Sequence, residues 1–500
     1  MTGNKPEITV GMPNGTMPAL TNQRSRMQVR NAIKIALIAL GVAGAAHVAL
    51  GSNPIVPAFA IFSMALAMLP FVRYGVMNVT AILLSLIAFR YVGFPLFGKL
   101  IMGQALDTNL DQPVAAYAAV LLGVVAYLGA VIVANRINVG TPLLKPLTEP
   151  RILQRLSYAA FVVGCIANID MSLHGYVESD AVTISNFFAS ILHLALIAAT
   201  AAVILRSDGR RIFDSWTLII LATEVVFAFA TNVRTPILEA FLCLVITAAA
   251  FRGNFSRKQI AGGLAALLLL VALTPVLLFV RGSREDLTMS ERVGATVEAL
   301  MNWEVAQSDL IVAMAEESLS SGYFMRYYGI PNNILERFSH INDVDVLISG
   351  ANNARTLGFE VLDQAFERAL PRFIAPDKPL GYGEGDWIYC EFGVKCLYGN
   401  YLTASLIGVG YATYGWVGVI LFPFFFGLPL FLLIKKVVGF NIVGNVWVVY
   451  IFVAFNNQIV EGGPSSYILM LFRQIPQDAV IMLVFAVLTG VSRSVFRKYI

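Results

Sequence analysis

Twelve apolar runs, each close to the length that carries a helix across a bilayer, decide what this chain can become. A crossing helix needs about 20 predominantly apolar residues. Such runs lie near 32–50, 54–72, 76–97, 113–134, 157–173, 183–205, 215–233, 235–251, 259–280, 403–433, 440–455 and 476–493. Inside a bilayer each backbone N–H and C=O has to be satisfied within its own segment, so runs of this kind fold as helices. The expected fold is all-α: a polytopic integral membrane protein with about twelve transmembrane helices. Composition agrees, with 57% apolar and only 13% charged residues, against roughly 25% charged in a soluble domain. The run at 403–433 is long for one crossing, which implies a tilted or re-entrant part. Tyr467–Phe472 forms a short apolar stretch that could dip into the membrane separately. Residues 1–30 are polar and read as a disordered tail, and the first run reads as an uncleaved helix.

Lys and Arg in the short connections set the expected orientation. One alternate set of connections carries Arg24, Arg26 and Arg30; Arg73; Arg136, Lys145, Arg151 and Arg155; Arg206, Arg210 and Arg211; Arg252, Arg257 and Lys258; Lys435 and Lys436; and Arg493, Arg497 and Lys498. The other set is poor in basic residues and holds Asp107, Asp111, Asp170, Glu178, Asp180 and Glu461. Both termini are therefore expected on the cytoplasmic side. The chain divides into a cytoplasmic tail (1–30), helices one to nine (31–281), an outer loop subdomain (282–402) and helices ten to twelve (403–500). The loop has 18 acidic against 9 basic residues, so the net +4 of the chain conceals about −9 in the loop and +13 elsewhere.

That loop is expected to be helical. Thr288, Ser290 and Glu291 resemble a capping box, and Leu357, Val361, Leu362, Ala365 and Phe366 mark an amphipathic helix near 356–369. Pro371 ends it and opens an unusual elbow, ALPRFIAPDKPLGYGEGDW (369–387), with three prolines followed by three glycines. Proline fixes φ and removes a donor, so the elbow is neither helix nor central strand.

Charges near span ends demand a reason, because Arg at the centre of a membrane helix costs about 2.5–3.5 kcal/mol. Arg90, Arg234, Arg281 and Arg284 all fall at the outer face, against the positive-inside trend, and Arg372 and Lys378 join them in the elbow. Snorkelling to headgroups accounts for any one of these; together they point to an anion site, since guanidinium forks match phosphate oxygens. Thr235-Pro236 would start a helix whose N–H groups reinforce it. Glu224, mid-span, is read as structurally paired, with a neutral state or a proton path as alternatives, and His193 as a satisfied polar residue between helices. Gly408, Gly410 and Gly415 suggest close helix packing and not nucleotide binding. Asp343 and Asp345 mimic a metal pair, but two carboxylates are a weak signal and no metal is expected. Outer-loop aromatics, among them Trp303, Tyr323, Tyr327, Tyr328, Trp387 and Tyr389, suit either a membrane interface or stacking on sugar rings. The four cysteines lack zinc spacing. Cys390 and Cys396 can pair in an oxidising compartment if the chain turns between them.

The chain resembles the Wzy-type polymerases of O-antigen and exopolysaccharide over roughly residues 215–430. The resemblance rests on Arg234-Thr235 at the outer end of a span, on the segment with Pro371, Arg372, Pro376, Asp377, Lys378 and Pro379, and on the stretch EFGVKCLYGNYLTASLIGVGYATYGWVGVI that follows. Family members often carry Trp before the second proline, where this chain has Ala375. The resemblance implies a membrane glycosyltransferase in the bacterial inner membrane with a periplasmic loop. It would move a glycan from a polyprenyl diphosphate to a sugar hydroxyl of another lipid-linked repeat unit. Cations would stabilise the charge that develops on the diphosphate: Arg90, Arg234, Arg281, Arg284, Arg372 and Lys378. The acceptor hydroxyl needs a base, for which the candidates are Asp377, Glu384, Asp386 and His340, in that order. No metal or cofactor is required. Expected partners are the lipid-linked donor and acceptor, membrane lipid and a chain-length regulator protein, with no nucleic acid. An O-antigen ligase and a lipid-linked glycan transporter remain as competing readings.

Overall fold

A computed structural model describes residues 19–174, 188–231, 235–263, 265, 289–302, 304, 308, 327–329, 338–370, 384–393 and 404–489. Among these residues there is no β-strand, only one isolated bridge between Asn78 and Asn441. In chain order the helices are α1 (Ala19–Ala49), α2 (Ile55–Tyr74), α3 (Val79–Ile101), α4 (Pro113–Arg136), α5 (Pro150–His174), α6 (Ile191–Arg206), α7 (Ser215–Thr231) and α8 (Thr235–Phe251). There follow α9 (Met289–Met301), α10 (Ile341–Asn353), α11 (Glu360–Ala369), α12 (Glu384–Glu391), α13 (Leu406–Val437), α14 (Val446–Glu461) and α15 (Pro464–Leu488). Seven of them are long and apolar enough to cross a membrane: α1–α5, α13 and α15. Four shorter apolar helices accompany them at α6, α7, α8 and α14. Most of the expected run at 259–280 lies outside the described residues.

Local sequence sets several of the helix starts. Asn78 caps α3 by accepting from the N–H groups of Thr80 and Ala81, Asn445 caps α14 at Trp447, and Ser405 caps α13 at Gly408. Side-chain oxygens of Asn and Ser take up donors that the first helical turn leaves unpaired. Where the tail was expected to be disordered through residue 30, α1 already begins at Ala19. The stretch from Ala19 to Arg30 contains no Gly or Pro, so nothing in it breaks the helix before the apolar run.

Two helices occupy the centre. α6 is buried at every position from Ile191 to Ile204, and α14 from Val446 to Val453. A helix apolar and buried all round sits among other helices. α14 packs on α3, α6, α8 and α15, while α5 and α13 form major contacts with α6 and α4 respectively. On the periphery, Ile35, Ile38, Val162, Ile166, Val226 and Val484 are exposed, the placement that suits helices bathed in lipid. The long run at 403–433 becomes α13, broken at Tyr414 (φ −136°, ψ 22°) and Gly415 (φ 60°, ψ −143°). Its two legs meet at Gly410 and Gly418, where each backbone fills the space a Cβ would need at the other. Of the expected packing glycines, Gly410 thus packs within α13 itself, while Gly408 lies against Leu347 and Val344 of α10. The separate dip expected at Tyr467–Phe472 is instead part of α15, continuous through a π turn at Met470–Gln474.

Segments of the loop dock onto one end of this bundle, called here the loop end. α10 packs on α4 and α13, and α11 on α15. Asp345 in α10 accepts the N–H groups of Asp111 (2.8 Å) and Gln112 (2.7 Å), just before α4. Burial lifts the Asp345 carboxyl to about 6, against the pull of those two donors. The carboxylate pair that mimics a metal motif is therefore divided, because Asp343 turns to His340. α11 starts at Glu360 and not at 356, since Leu357 and Gly358 donate their N–H groups to Ala412 and Thr413 of α13. Tyr327 and Tyr328 are fully buried and Lys99 donates to the Tyr327 carbonyl. With Tyr389 buried as well, these three rings pack inside the protein and are available neither to lipid nor to a sugar.

Candidate functional site

Arg90 is placed by a break in helical regularity. α3 passes through a π turn at Phe89–Gly93, and one-turn π insertions of this kind recur at functional positions. The Arg90 carbonyl accepts the backbone N–H of His340 at 3.2 Å, which ties the start of α10 to α3. Tyr91, next along the turn, donates its hydroxyl to the Val460 carbonyl at 2.8 Å, which ties α3 to the end of α14. Between these two anchors the Arg90 guanidinium points into the bundle, 8% exposed.

Its fork holds two residues of α14. Nη2 lies 2.5 Å from Glu461 Oε1, and Nη1 donates to Asn457 Oδ1 at 3.3 Å. Phe338 covers one guanidinium face, 5.6 Å from ring centre to Cζ. Glu461 Oε1 is also 3.5 Å from His340 Nε2, and His340 Nδ1 is 3.0 Å from Asp343 Oδ2. Burial and the Arg90 charge both work against a protonated His340, but Asp343 and Glu461 outweigh them and raise its pKa. His340 therefore leans towards the imidazolium form. Of the four side chains Glu461 is the most open, 28% exposed, against 9% for Arg90 and 5% for His340.

Beyond Asn457 the polar chain continues into the bundle. Asn457 Nδ2 donates to Glu239 Oε1 at 3.3 Å. Glu239 Oε2 lies 3.1 Å from His193 Nε2, and His193 Nδ1 lies 3.1 Å from Glu224 Oε1. Six helices thus contribute to one connected line of ionisable and amide groups, from Asp343 on α10 to Glu224 on α7.

A second carboxylate sits on the turn that follows Glu461. Glu384, first residue of α12, accepts the Ser465 N–H with both oxygens at 3.2 Å. Gly463 makes the approach possible, because a Cβ there would meet the Glu384 carboxylate and the Ala404 carbonyl. Burial raises the Glu384 carboxyl to about 7, opposed by the Ser465 N–H and by Arg368. Asp386, two residues along, is fully buried. Arg368 near the end of α11 and Glu384 flank the elbow, so both of its ends are held at the α14–α15 turn.

The structure brings together Arg90 and His340, sets Glu384 beside the turn that follows Glu461, and buries Asp386 two residues further on. Arg234, Arg281, Arg284, Arg372, Asp377 and Lys378 lie outside the described residues, as does most of the elbow. Arg90 differs from expectation: it neither snorkels nor faces an open anion site, but is engaged by Glu461. His340 shares the same carboxylate, and Asp343 and Glu461 raise its pKa. Sequence reasoning missed Glu239 and Asn457 altogether, and took Glu461 only as an outer-face acid. The signal was available, for Glu239 interrupts an apolar run as Glu224 does. Cys390 is disulfide-bonded, whereas Cys165 and Cys243 are free thiols; Cys396 lies outside the described residues. No protein-family model, curated protein or solved structure matches the chain.

Proposed function

We propose that this chain is a polymerase of polyprenyl-diphosphate-linked repeat units, a metal-independent membrane glycosyltransferase building O-antigen or exopolysaccharide. In this reading it crosses the bacterial inner membrane twelve times, with both termini in the cytoplasm and the loop end in the periplasm. The observation that carries the proposal is the Arg90–Glu461–His340 cluster at the loop end, beside a turn that also receives Glu384. Two groups with cationic character, Arg90 and His340, share one partly open carboxylate. Glu461 then stands in the place of an acidic group of the substrate. A diphosphate would displace it from Arg90 and take over the guanidinium fork, joined by Arg234, Arg281, Arg284, Arg372 and Lys378. As the glycosidic bond breaks, charge gathers on the leaving diphosphate, and fixed cations stabilise that change. The acceptor hydroxyl gives its proton to a carboxylate. Glu384 suits this step because a carboxyl near 7 exchanges protons at working pH; Asp377 and Asp386 are the other candidates. His340, in contact with the same Glu461, is the fourth candidate.

Deleting the gene and sizing surface glycan tests this. Loss of a polymerase leaves single repeat units exported and displayed as short glycan. Full-length polymer in the deletion strain rejects the proposal. Loss of a ligase would instead leave polymer on its lipid carrier, detached from the core. One observation favours a second reading, a transporter of lipid-linked glycan: the His193–Glu224–Glu239 line inside apolar helices, where ionisable groups often serve proton or ion movement. Its loss would trap units inside, with nothing displayed.

A further inference from the structure

We infer that His193, Glu224 and Glu239 form a proton-binding site within the helix bundle, with Glu224 as its inner terminus and Glu239 as its opening. The site does not depend on the glycosyl-transfer reading.

Counting protons across the two imidazole contacts supports this. Each ring nitrogen of His193 faces a carboxylate oxygen at 3.1 Å. Each such contact needs one proton, whichever atom carries it, so two protons occupy the two bridges. With only these two, the trio has a net charge of −1. Among the described residues Arg90 reaches it through Asn457 and is itself paired with Glu461. A buried net charge without a partner is costly, and such groups take up a proton instead.

Glu224 is where that third proton fits. Its side chain is 1% exposed, and its Oε2 has no hydrogen-bond partner among the described residues. An ionised oxygen in that position would lack any donor, whereas a protonated carboxyl leaves no charge to satisfy. Glu239, by contrast, uses both oxygens, one on Asn457 and one on His193, and its side chain is 17% exposed. The bridging proton of Glu239 can pass to His193 Nε2 while Nδ1 hands its own proton to Glu224, and Glu239, left ionised, then takes the third proton from water. The reverse sequence returns it. Uptake and release change the charge inside the bundle by one unit and involve no electron transfer.

The other titratable groups around the trio come from neighbouring helices. Cys243, one turn beyond Glu239 on α8, faces both carboxylates. Tyr450 of α14 faces Cys243 and donates to Asp478 of α15. α5 and α9 also pack on α7; α5 carries Cys165 and Asp170, half-buried, and α9 carries Glu291 and Glu298, exposed. Among the described residues no group of three or more His, Cys, Asp or Glu side chains is arranged to hold a metal ion.

Infrared spectroscopy of the full chain in lipid nanodiscs, labelled with carbon-13 glutamate, tests the site. At about pH 8 ordinary glutamates are ionised, and Glu384→Gln removes the glutamate whose carboxyl burial raises to about 7. The expected result is a protonated glutamate carbonyl band in wild type and in Glu384→Gln, lost in Glu224→Gln. Absence of a protonated glutamate band from the labelled Glu384→Gln protein overturns the inference and requires no change at the site. Survival of the band in a folded Glu224→Gln protein also overturns it, because the proton would then reside elsewhere.

Discussion

Glu461 Oε1 sits 2.5 Å from Arg90 Nη2, and this contact closes the joint between the π turn of α3 and the last residue of α14. Both helices belong to the tightly packed part of the bundle, yet the carboxylate keeps 28% of its surface in contact with solvent. Stability and ligand access therefore meet at one ion pair.

Neutralising that carboxylate by Glu461→Gln leaves two neighbouring groups of cationic character, Arg90 and His340, without their shared anion. Breaking a buried pair from one side costs roughly 3–5 kcal/mol, and the partial exposure of Glu461 brings the expectation to about 2–3 kcal/mol. Thermal melting in detergent should fall accordingly. Arg90→Met combined with Glu461→Gln should recover part of the loss, since the buried guanidinium is gone. Additive losses in the double variant would show that the two residues are not coupled.

Asp345→Ala should unseat α10 from α4. The substitution leaves the N–H groups of Asp111 and Gln112 without their acceptor, each at a cost of about 1–3 kcal/mol if they stay buried. Hydrogen exchange at these two amides reports the effect. Unchanged protection in the variant would mean that another group, or water, serves them equally well.

Much of the architecture was readable from hydropathy, because eleven of the expected spans fall where the structure has apolar helices. The identity of the central helices was not. α6 and α14 face protein on all sides, but lipid and protein interior select the same apolar residues, so composition does not separate them. The π turn that aims Arg90 inward leaves no mark in the periodicity of the LIAFRYVGF stretch. Arg90 and Glu224 stood out as costly charges, but Arg90 meets Glu461 from a distant part of the chain, and Glu224 is joined to Glu239 through His193. Pairing of that kind is set by the fold and has no local signal. Tyr327 and Tyr328 are buried against Lys99, a cation that sequence reasoning passed over.

Orientation is the next expectation, carried by the alternation of basic connections. Cysteines introduced at Thr356, exposed at the loop end, and at Lys258, exposed between α8 and the run that follows it, distinguish the two faces. An impermeant thiol reagent applied to intact cells should label the first and spare the second. Labelling at Lys258 alone would invert the assignment of the loop end to the periplasm.

Glu384 makes the docking of α12 sensitive to pH. Its carboxyl titrates at about 7 in the fold, against an ordinary value of 4.5, because burial penalises the anion more than Ser465 and Arg368 support it. Between about pH 4.5 and 7 the folded chain thus holds a proton that the unfolded chain has released. The folded state binds more protons, so stability falls as pH rises. The contribution is fully present below about 4.5 and is lost as pH climbs through about 7. Glu384→Gln keeps a neutral side chain of the same shape and should remove this slope. His340 contributes a slope of the same sign, because its pKa is also raised, but it is common to both proteins and cancels in their difference. Melting temperatures of wild type and Glu384→Gln, measured across this range, should therefore diverge with rising pH, wild type becoming the less stable, and run parallel above about 8. Parallel curves throughout would show that Glu384 titrates as an ordinary surface carboxylate, and would remove it as the base candidate.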